Sequence, residues 1–253
     1  MDYLYATYFF IIGTIFGSFY NVVGYRLPRG ESLVKPRSHC PNCNHVLTPM
    51  ELIPIFSFLF QRGKCKNCKQ KISWFYTIFE LLTGILFASS YLIFGFSIDL
   101  LIALSFVSMT IIIIISDYQT LIIPDEVLVF FGILFIIFNY INGGFDIVFN
   151  SIINGFIAFI IMFIIKKIAD FCFKQDSMGG GDIKLMFVFG LVIGYEMAIF
   201  TLFLGSIIGL PVSLIFLKYK NTNIVPFGPF LCTAALIILM FQLDISVLFN
   251  LFI

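Results

Sequence analysis

The sequence predicts an all-α polytopic membrane protein of about eight transmembrane helices with one small cytoplasmic loop subdomain. Composition is the first reason: of 253 residues, 60% are hydrophobic, 34 are Phe and only 11% are charged. A soluble domain of this length would carry roughly a quarter charged residues, and the apolar surplus exceeds what one globular core buries. Segmentation is the second, because the apolar runs fall into eight stretches near the ~20 residues that cross a hydrocarbon layer. The third is the clustering of basic residues described below.

The spans fall at roughly 3–23, 74–94, 100–116, 126–142, 147–165, 183–195, 198–217 and 227–243. The first opens on Met1-Asp2-Tyr3 without a basic n-region, so it reads as a membrane span and not as a cleavable signal. The third closes on Ile111-Ile112-Ile113-Ile114-Ile115-Ser116-Asp117, and Pro124 favours an extended residue before it and the start of the fourth. The sixth is short, and its boundary with the seventh is the least marked. Residues Asp244 to Ile253 read as an interfacial segment or the end of the eighth helix. By composition the chain divides into a first helix (1–23), a polar loop subdomain (24–73) and a helical bundle (74–253). No internal repeat of the inverted-transporter kind is visible.

Lys and Arg fix the orientation. All 15 lie in four places: nine in 26–71, three in 166–174, Lys184, and two in 218–220. With the amino terminus outside, every one is cytoplasmic, and the opposite side holds Asp2, Asp99, Asp146, Glu196 and Asp244 without a single Lys or Arg. A net charge of +1 gives no sign of a nucleic-acid partner.

The polar loop holds Cys40-Pro41-Asn42-Cys43 and Cys65-Lys66-Asn67-Cys68. Thiolates at i and i+3 on a tight knuckle face one ion, and two knuckles close a tetrahedral shell, so Cys40, Cys43, Cys65 and Cys68 are expected to bind structural Zn²⁺. Lys64, Lys66, Lys69 and Lys71 offset the thiolate charge; His39 and His45 are substitute ligands that four cysteines make unnecessary. Free or redox-active thiols are the alternative, with structural disulfides disfavoured in a reducing cytosol. A loop of this length with few large apolar side chains needs the metal to fold. Cys172 and Cys232 are read as buried small apolar residues.

Two carboxylates stand at boundaries between apolar runs and polar segments. Asp117 ends the third span, and Asp182 follows Gly179-Gly180-Gly181 and opens the sixth. The basic-residue topology brings both to the cytoplasmic face. The glycines allow unusual backbone and close approach of a substrate strand. A helix N-cap explains Asp182, and Asp125 still more readily. Asp117 fits a structural role least, because a carboxylate at a helix C-terminus opposes the dipole. The functional reading is peptide hydrolysis: two close carboxylates do not both ionise cheaply, so one takes a proton from water and the other hydrogen-bonds the scissile carbonyl. Both histidines lie in the cysteine loop, so no Ser/His or Cys/His pair competes. Glu80, inside the second span, is an isolated charge that supports the site or docks the loop, for instance on Lys71. Arg26 reads as a lipid-phosphate anchor or part of a methyl-donor site.

These blocks resemble the type IV prepilin peptidases, bacterial GxGD-type membrane aspartyl proteases. The likeness runs in order through Phe16-Gly17-Ser18-Phe19-Tyr20-Asn21-Val22-Val23, Arg26-Leu27-Pro28, Ser38-His39-Cys40-Pro41-Asn42-Cys43, Ile53-Pro54, Gly63-Lys64-Cys65-Lys66-Asn67-Cys68 and Glu80-Leu81-Leu82-Thr83-Gly84. It continues from Asp117 to Pro124-Asp125 and ends in Gly179-Gly180-Gly181-Asp182-Ile183-Lys184. The resemblance implies that Asp117 and Asp182 are the catalytic pair, supported by Gly179, Gly180, Gly181, Asp125, Lys184 and Glu80. It implies prepilin or pseudopilin substrates, cut after a glycine at the cytoplasmic face of the bacterial inner membrane. A second activity, N-methylation from S-adenosylmethionine, accompanies the four-Cys loop in many members; no glycine-rich fingerprint locates that donor's site. Gln119 and Thr48-Pro49-Met50-Glu51 depart from the usual pattern. Asp125, Glu126, Asp170 and Asp176 would attract a basic leader, though a solvated surface explains them equally.

Two other classes compete with this reading. An ion-coupled transporter needs acidic residues near the bilayer midplane, whereas these two lie at one boundary. A zinc-loop scaffold would keep its function after loss of either aspartate.

Overall fold

The computed structural model describes residues 1–176, 178–220 and 225–244, with the side chains of 216–220 left aside. Of the stretch Asp244 to Ile253, expected as an interfacial segment or the end of the eighth helix, residues 245–253 lie outside the described residues. The chain forms two compact units, Met1–Phe96 and Ser97 onward.

The first unit is two long helices and a loop domain. Helix α1 is Asp2–Arg26, α2 is the short Phe56–Phe60, and α3 is Trp74–Phe94; 3₁₀ turns lie at Leu27–Arg29 and Pro49–Leu52. Helices α1 and α3 pack backbone to backbone. A Cβ on Gly13 would lie 2.8 Å from the Cα of Gly84, and one on Gly17 would lie 2.9 Å from the Cα of Glu80. Small residues four apart make such approach possible where lipid removes the hydrophobic drive between helices. Ser73 caps α3 by accepting the Phe75 N–H. At the other end Phe9 and Tyr91 stack with centroids 5.0 Å apart.

The second unit contains α4 (Ile98–Thr120), α5 (Asp125–Phe173), α6 (Gly180–Lys220) and α7 (Gly228–Met240). Helix α4 carries much of its core, with Phe106, Met109, Ile111, Ile113 and Ile115 fully buried. Helix α5 breaks at Gly143 and Gly144, and α6 breaks at Gly194, whose φ is 78°. Each therefore runs as two apolar segments, 125–142 and 145–173, then 180–193 and 195–220. Among the described residues five helices are long and apolar enough to cross a membrane when the broken ones are taken whole, and α7 is a shorter apolar helix. With the breaks counted, the eight expected segments are present. Asn139 spans one junction by donating to the Leu191 carbonyl at 3.2 Å. A Cβ on Gly190 would meet the Asn154 carbonyl and the Gly155 Cα at 2.7 Å, so 145–173 and 180–193 are in close contact.

Some boundaries move. Helix α4 continues one turn beyond Asp117, because Thr120 Oγ1 donates to the Ser116 carbonyl and Leu121 closes the helix in the left-handed region. Helix α5 runs on past 165 to Phe173, carrying Lys166 and Lys167. Long basic side chains tolerate this by lying along apolar surface, as Lys167 does over the Phe163 ring. Cys232 is buried as expected, but Cys172, on the tail of α5, is exposed.

Candidate active site and metal centre

The loop of the first unit builds two matching knuckles. Cys40 N–H donates to the His45 carbonyl and Cys65 N–H to that of Gln70. The Asn44 N–H returns to Cys40 and the Lys69 N–H to Cys65, with Asn44 and Lys69 both at positive φ. Isolated bridges His39 to Val46 and Lys64 to Lys71 close each knuckle. The amide of Asn42 donates to Cys68 Sγ, and that of Asn67 to Cys43 Sγ, so each knuckle holds a thiol of the other. The Asn42 amide, then the Gln70 N–H, draw the Cys68 thiol down to about 6, so a thiolate is available at neutral pH.

All four Sγ atoms lie within 4.8 Å of one another, with Cys40 to Cys68 at 3.8 Å and Cys43 to Cys65 at 3.9 Å. Tetrahedral coordination at ~2.3 Å per thiolate places sulfurs about 3.8 Å apart. The four cysteines therefore fit a metal ion. The histidines do other work: His39 Nδ1 contacts the Arg37 carbonyl and His45 Nε2 contacts Glu51.

Glu80 meets the loop, but not through Lys71. Its Oε2 accepts the Ile55 N–H at 2.8 Å, and the Ser18 hydroxyl bonds the same carboxyl. Ile55 has φ 62°, costly for a β-branched residue, and this bond holds it there. The Phe58 side chain of α2 is buried against Trp74 at 4.6 Å between centroids. Glu51 accepts the Thr48 N–H and hydroxyl, and together with His45 they draw its carboxyl down to about 2.

Asp117 and Asp182 both belong to the second unit. Asp117 sits in the last turn of α4, 6% exposed, and accepts the Gly228 N–H at 3.0 Å. Asp182 is the third residue of α6, 8% exposed, with the Gly179 N–H at its carboxyl. The two carboxylates are near enough to repel each other. Among the described residues neither has a basic partner, and two buried carboxylates so placed are expensive as a purely structural device.

The glycines act differently from expectation. None of Gly179, Gly180 and Gly181 has positive φ. Gly181 is needed for proximity: a Cβ there would lie 2.9 Å from that of Ile123, so only glycine lets α6 start against the 121–124 turn. Gly180 faces open space. Asp125 opens α5 and takes Lys184 in a two-point ion pair at 2.7 and 2.8 Å, tying the starts of α5 and α6 at an exposed edge. Such an exposed pair contributes about 0–1 kcal/mol.

Sequence reasoning missed Gly228. A Cβ there would stand 2.7 Å from Asp117 Oδ2, so the main-chain N–H reaches the carboxylate only because the residue is glycine. The visible signal was Pro226-Phe227-Gly228-Pro229, which reads as a helix start and nothing more. Cys232, one turn further, is fully buried within the field of both aspartates. The buried polar residues Asn21 and Glu51 were also missed.

Fold and sites together define a class: polytopic helical membrane proteins that combine a four-cysteine loop able to hold a metal with a buried carboxylate pair. Residues 11–94 match the Bacterial Peptidase A24 N-terminal domain, and residues 104–214 match the Type IV leader peptidase family. A Bacillus subtilis protein named prepilin leader peptidase/N-methyltransferase is 40% identical over 79% of this chain and 78% of its own length. Proteins of the same name from Vibrio cholerae and Pseudomonas aeruginosa are 36% and 29% identical, over 82% and 91% of this chain and 85% and 88% of theirs. No solved structure matches. The chain belongs to the type IV leader peptidase family.

Proposed function

We propose that this protein is an aspartyl endopeptidase of the bacterial inner membrane. It cleaves the short basic leader of type IV prepilins or pseudopilins at the cytoplasmic face, and it methylates the new amino terminus. One observation carries the peptidase reading: two buried carboxylates, from α4 and α6, lie within each other's field, with no basic partner among the described residues.

The chemistry follows from the pair holding one proton between them. The ionised carboxylate accepts a proton from water as the water oxygen bonds to the scissile carbonyl carbon. The protonated one donates a hydrogen bond to the carbonyl oxygen, which takes up the electron pair. Collapse breaks the C–N bond, and a proton passes from the pair to the leaving amine. The Gly228 N–H keeps Asp117 oriented throughout. Asp125 and Lys184 hold the two helix starts in register and stand outside the chemistry.

The metal held by Cys40, Cys43, Cys65 and Cys68 is Zn²⁺ in a structural role, since four thiolates leave no open position. S-adenosylmethionine supplies the electrophilic methyl group for the amine. Basic-residue placement supports an amino terminus outside, with the cysteine loop and both aspartates at the cytoplasmic face.

The test is cleavage of a prepilin in membranes by wild type, Asp117→Asn and Asp182→Asn. Each variant is expected to lose at least about 10²–10⁴-fold in rate. Normal processing by either would refute the pair.

A further inference from the structure

The first unit holds a cavity of about 450 Å³ that is partly open to solvent, and every residue lining it belongs to that unit. Its walls carry two acceptors without a hydrogen-bond partner among the described residues, Asn21 Oδ1 and Glu51 Oε1. Both side chains are deeply buried, 4% and 9% exposed. Neither can turn away, because each is pinned by its other end. The Asn21 amide nitrogen donates to the Gly17 and Tyr76 carbonyls at 3.0 and 3.2 Å. Glu51 Oε2 accepts the Thr48 N–H, the Thr48 hydroxyl and the His45 contact. Buried acceptors are ordinarily satisfied, so two fixed orphans in one cavity point to a ligand that brings donors.

The remaining wall narrows the ligand's class. Arg26 is 8% exposed and uses one guanidinium N–H on the Ser32 carbonyl at 3.0 Å, leaving others for a carboxylate. Glu51 offers a negative charge to a cation. Tyr25 and Tyr76 supply ring surface. A ligand with ammonium and hydroxyl donors, a carboxylate and a flat ring system answers Asn21, Glu51, Arg26 and the two tyrosines together, and the volume suits one of that size. A lipid phosphate would satisfy Arg26 and leave both acceptors empty.

We propose that this cavity is the methyl-donor site and binds S-adenosylmethionine, with Asn21 and Glu51 taking its N–H and O–H donors and Arg26 its carboxylate. This rests on the methyltransferase reading above. Asn21, Glu51 and Arg26 come from three separate stretches of chain, which is why no contiguous fingerprint marks the site.

The experiment uses the full chain, zinc-loaded in detergent, with radiolabelled S-adenosylmethionine as probe. Equilibrium binding is measured for wild type, Asn21→Leu and Glu51→Gln, with zinc content checking that each loop has folded. Each variant is expected to lose at least tenfold in affinity. Ultraviolet cross-linking of the unaltered chain, followed by peptide mapping, is expected to place label within residues 18–80. Affinity unchanged in both folded variants, label confined to residues 97–244, or a cavity that holds only water would each overturn the proposal. The mass of the mature prepilin amino terminus separates the two levels. A methyl group added by wild type with donor bound elsewhere overturns the site and leaves the methyltransferase reading intact. No added methyl and no donor binding overturns both.

Discussion

Asp117 is held by a single main-chain donor that lies 111 residues away in sequence. Gly228→Ala inserts a methyl group into the space the carboxylate oxygen occupies. Displacement of a reacting group by about 1 Å costs on the order of 10²-fold in rate, so kcat for prepilin cleavage should fall by that order with little change in KM. Equal kcat in steady-state assays would show that the Gly228 contact does not position the carboxylate. Glu51 allows a pH prediction. Its carboxyl is held at about 2, against an ordinary value of 4.5, by the Thr48 N–H and hydroxyl and by His45. A depressed acid contributes stability above its unfolded value and loses it as pH falls through its folded one. The loop should therefore lose this contribution between about pH 4.5 and 2, and Glu51→Gln should remove that part of the profile. The single tryptophan, Trp74, packs on Phe58 of the loop, so its fluorescence reports the transition. Asp117 and Asp182 were legible as isolated charges beside apolar runs, whereas Gly228 was not, because a main-chain donor leaves no trace in residue type.

At the scale of elements, the eight apolar segments were legible because hydropathy is local. The glycine breaks in α5 and α6 were legible only as uncertain boundaries, since a glycine in an apolar run can be either a hinge or a packing site. The structure contains both kinds. Gly194 turns the chain at positive φ, while Gly190, in the same helix, is there for proximity. Gly190→Val should destabilise the second unit by about 1–3 kcal/mol or more through overpacking, measured as a lower thermal midpoint in detergent. A midpoint within error of wild type would deny the close contact. The cysteine spacing announced the four-cysteine cluster, but not the exchange of Asn42 and Asn67 amides between knuckles. Neither knuckle is complete alone, so Cys40→Ser should release the metal and disorder both. It should abolish methyl addition, read from the mass of the mature amino terminus, and unchanged methylation would exclude the loop from that activity.

For the whole molecule, the segregation of all 15 Lys and Arg predicts the orientation. A cysteine introduced at Asp99 should react with an impermeant maleimide on intact cells, and one at Lys35 only after lysis; the reverse pattern would invert the topology. How the chain meets its bilayer was only partly legible from run lengths, because the sixth run read as short but the eighth, 227–243, as near a full span. The segment 180–193, which begins the Asp182 helix, rises ~21 Å at 1.5 Å per residue, and Gly228–Met240 rises ~20 Å. Both fall short of the ~30 Å hydrocarbon layer, and both carry groups of the carboxylate site at their first turns. Apart from Gly180 and Lys184 no residue of either helix is exposed, so it is neighbouring protein, not lipid, that closes over their short ends, and the gap this leaves at the Asp182 end is where water can reach the carboxylates. Cleavage in reconstituted vesicles should then hold its rate as acyl chains lengthen, and a rate that falls with bilayer thickness would show that lipid reaches these two helices.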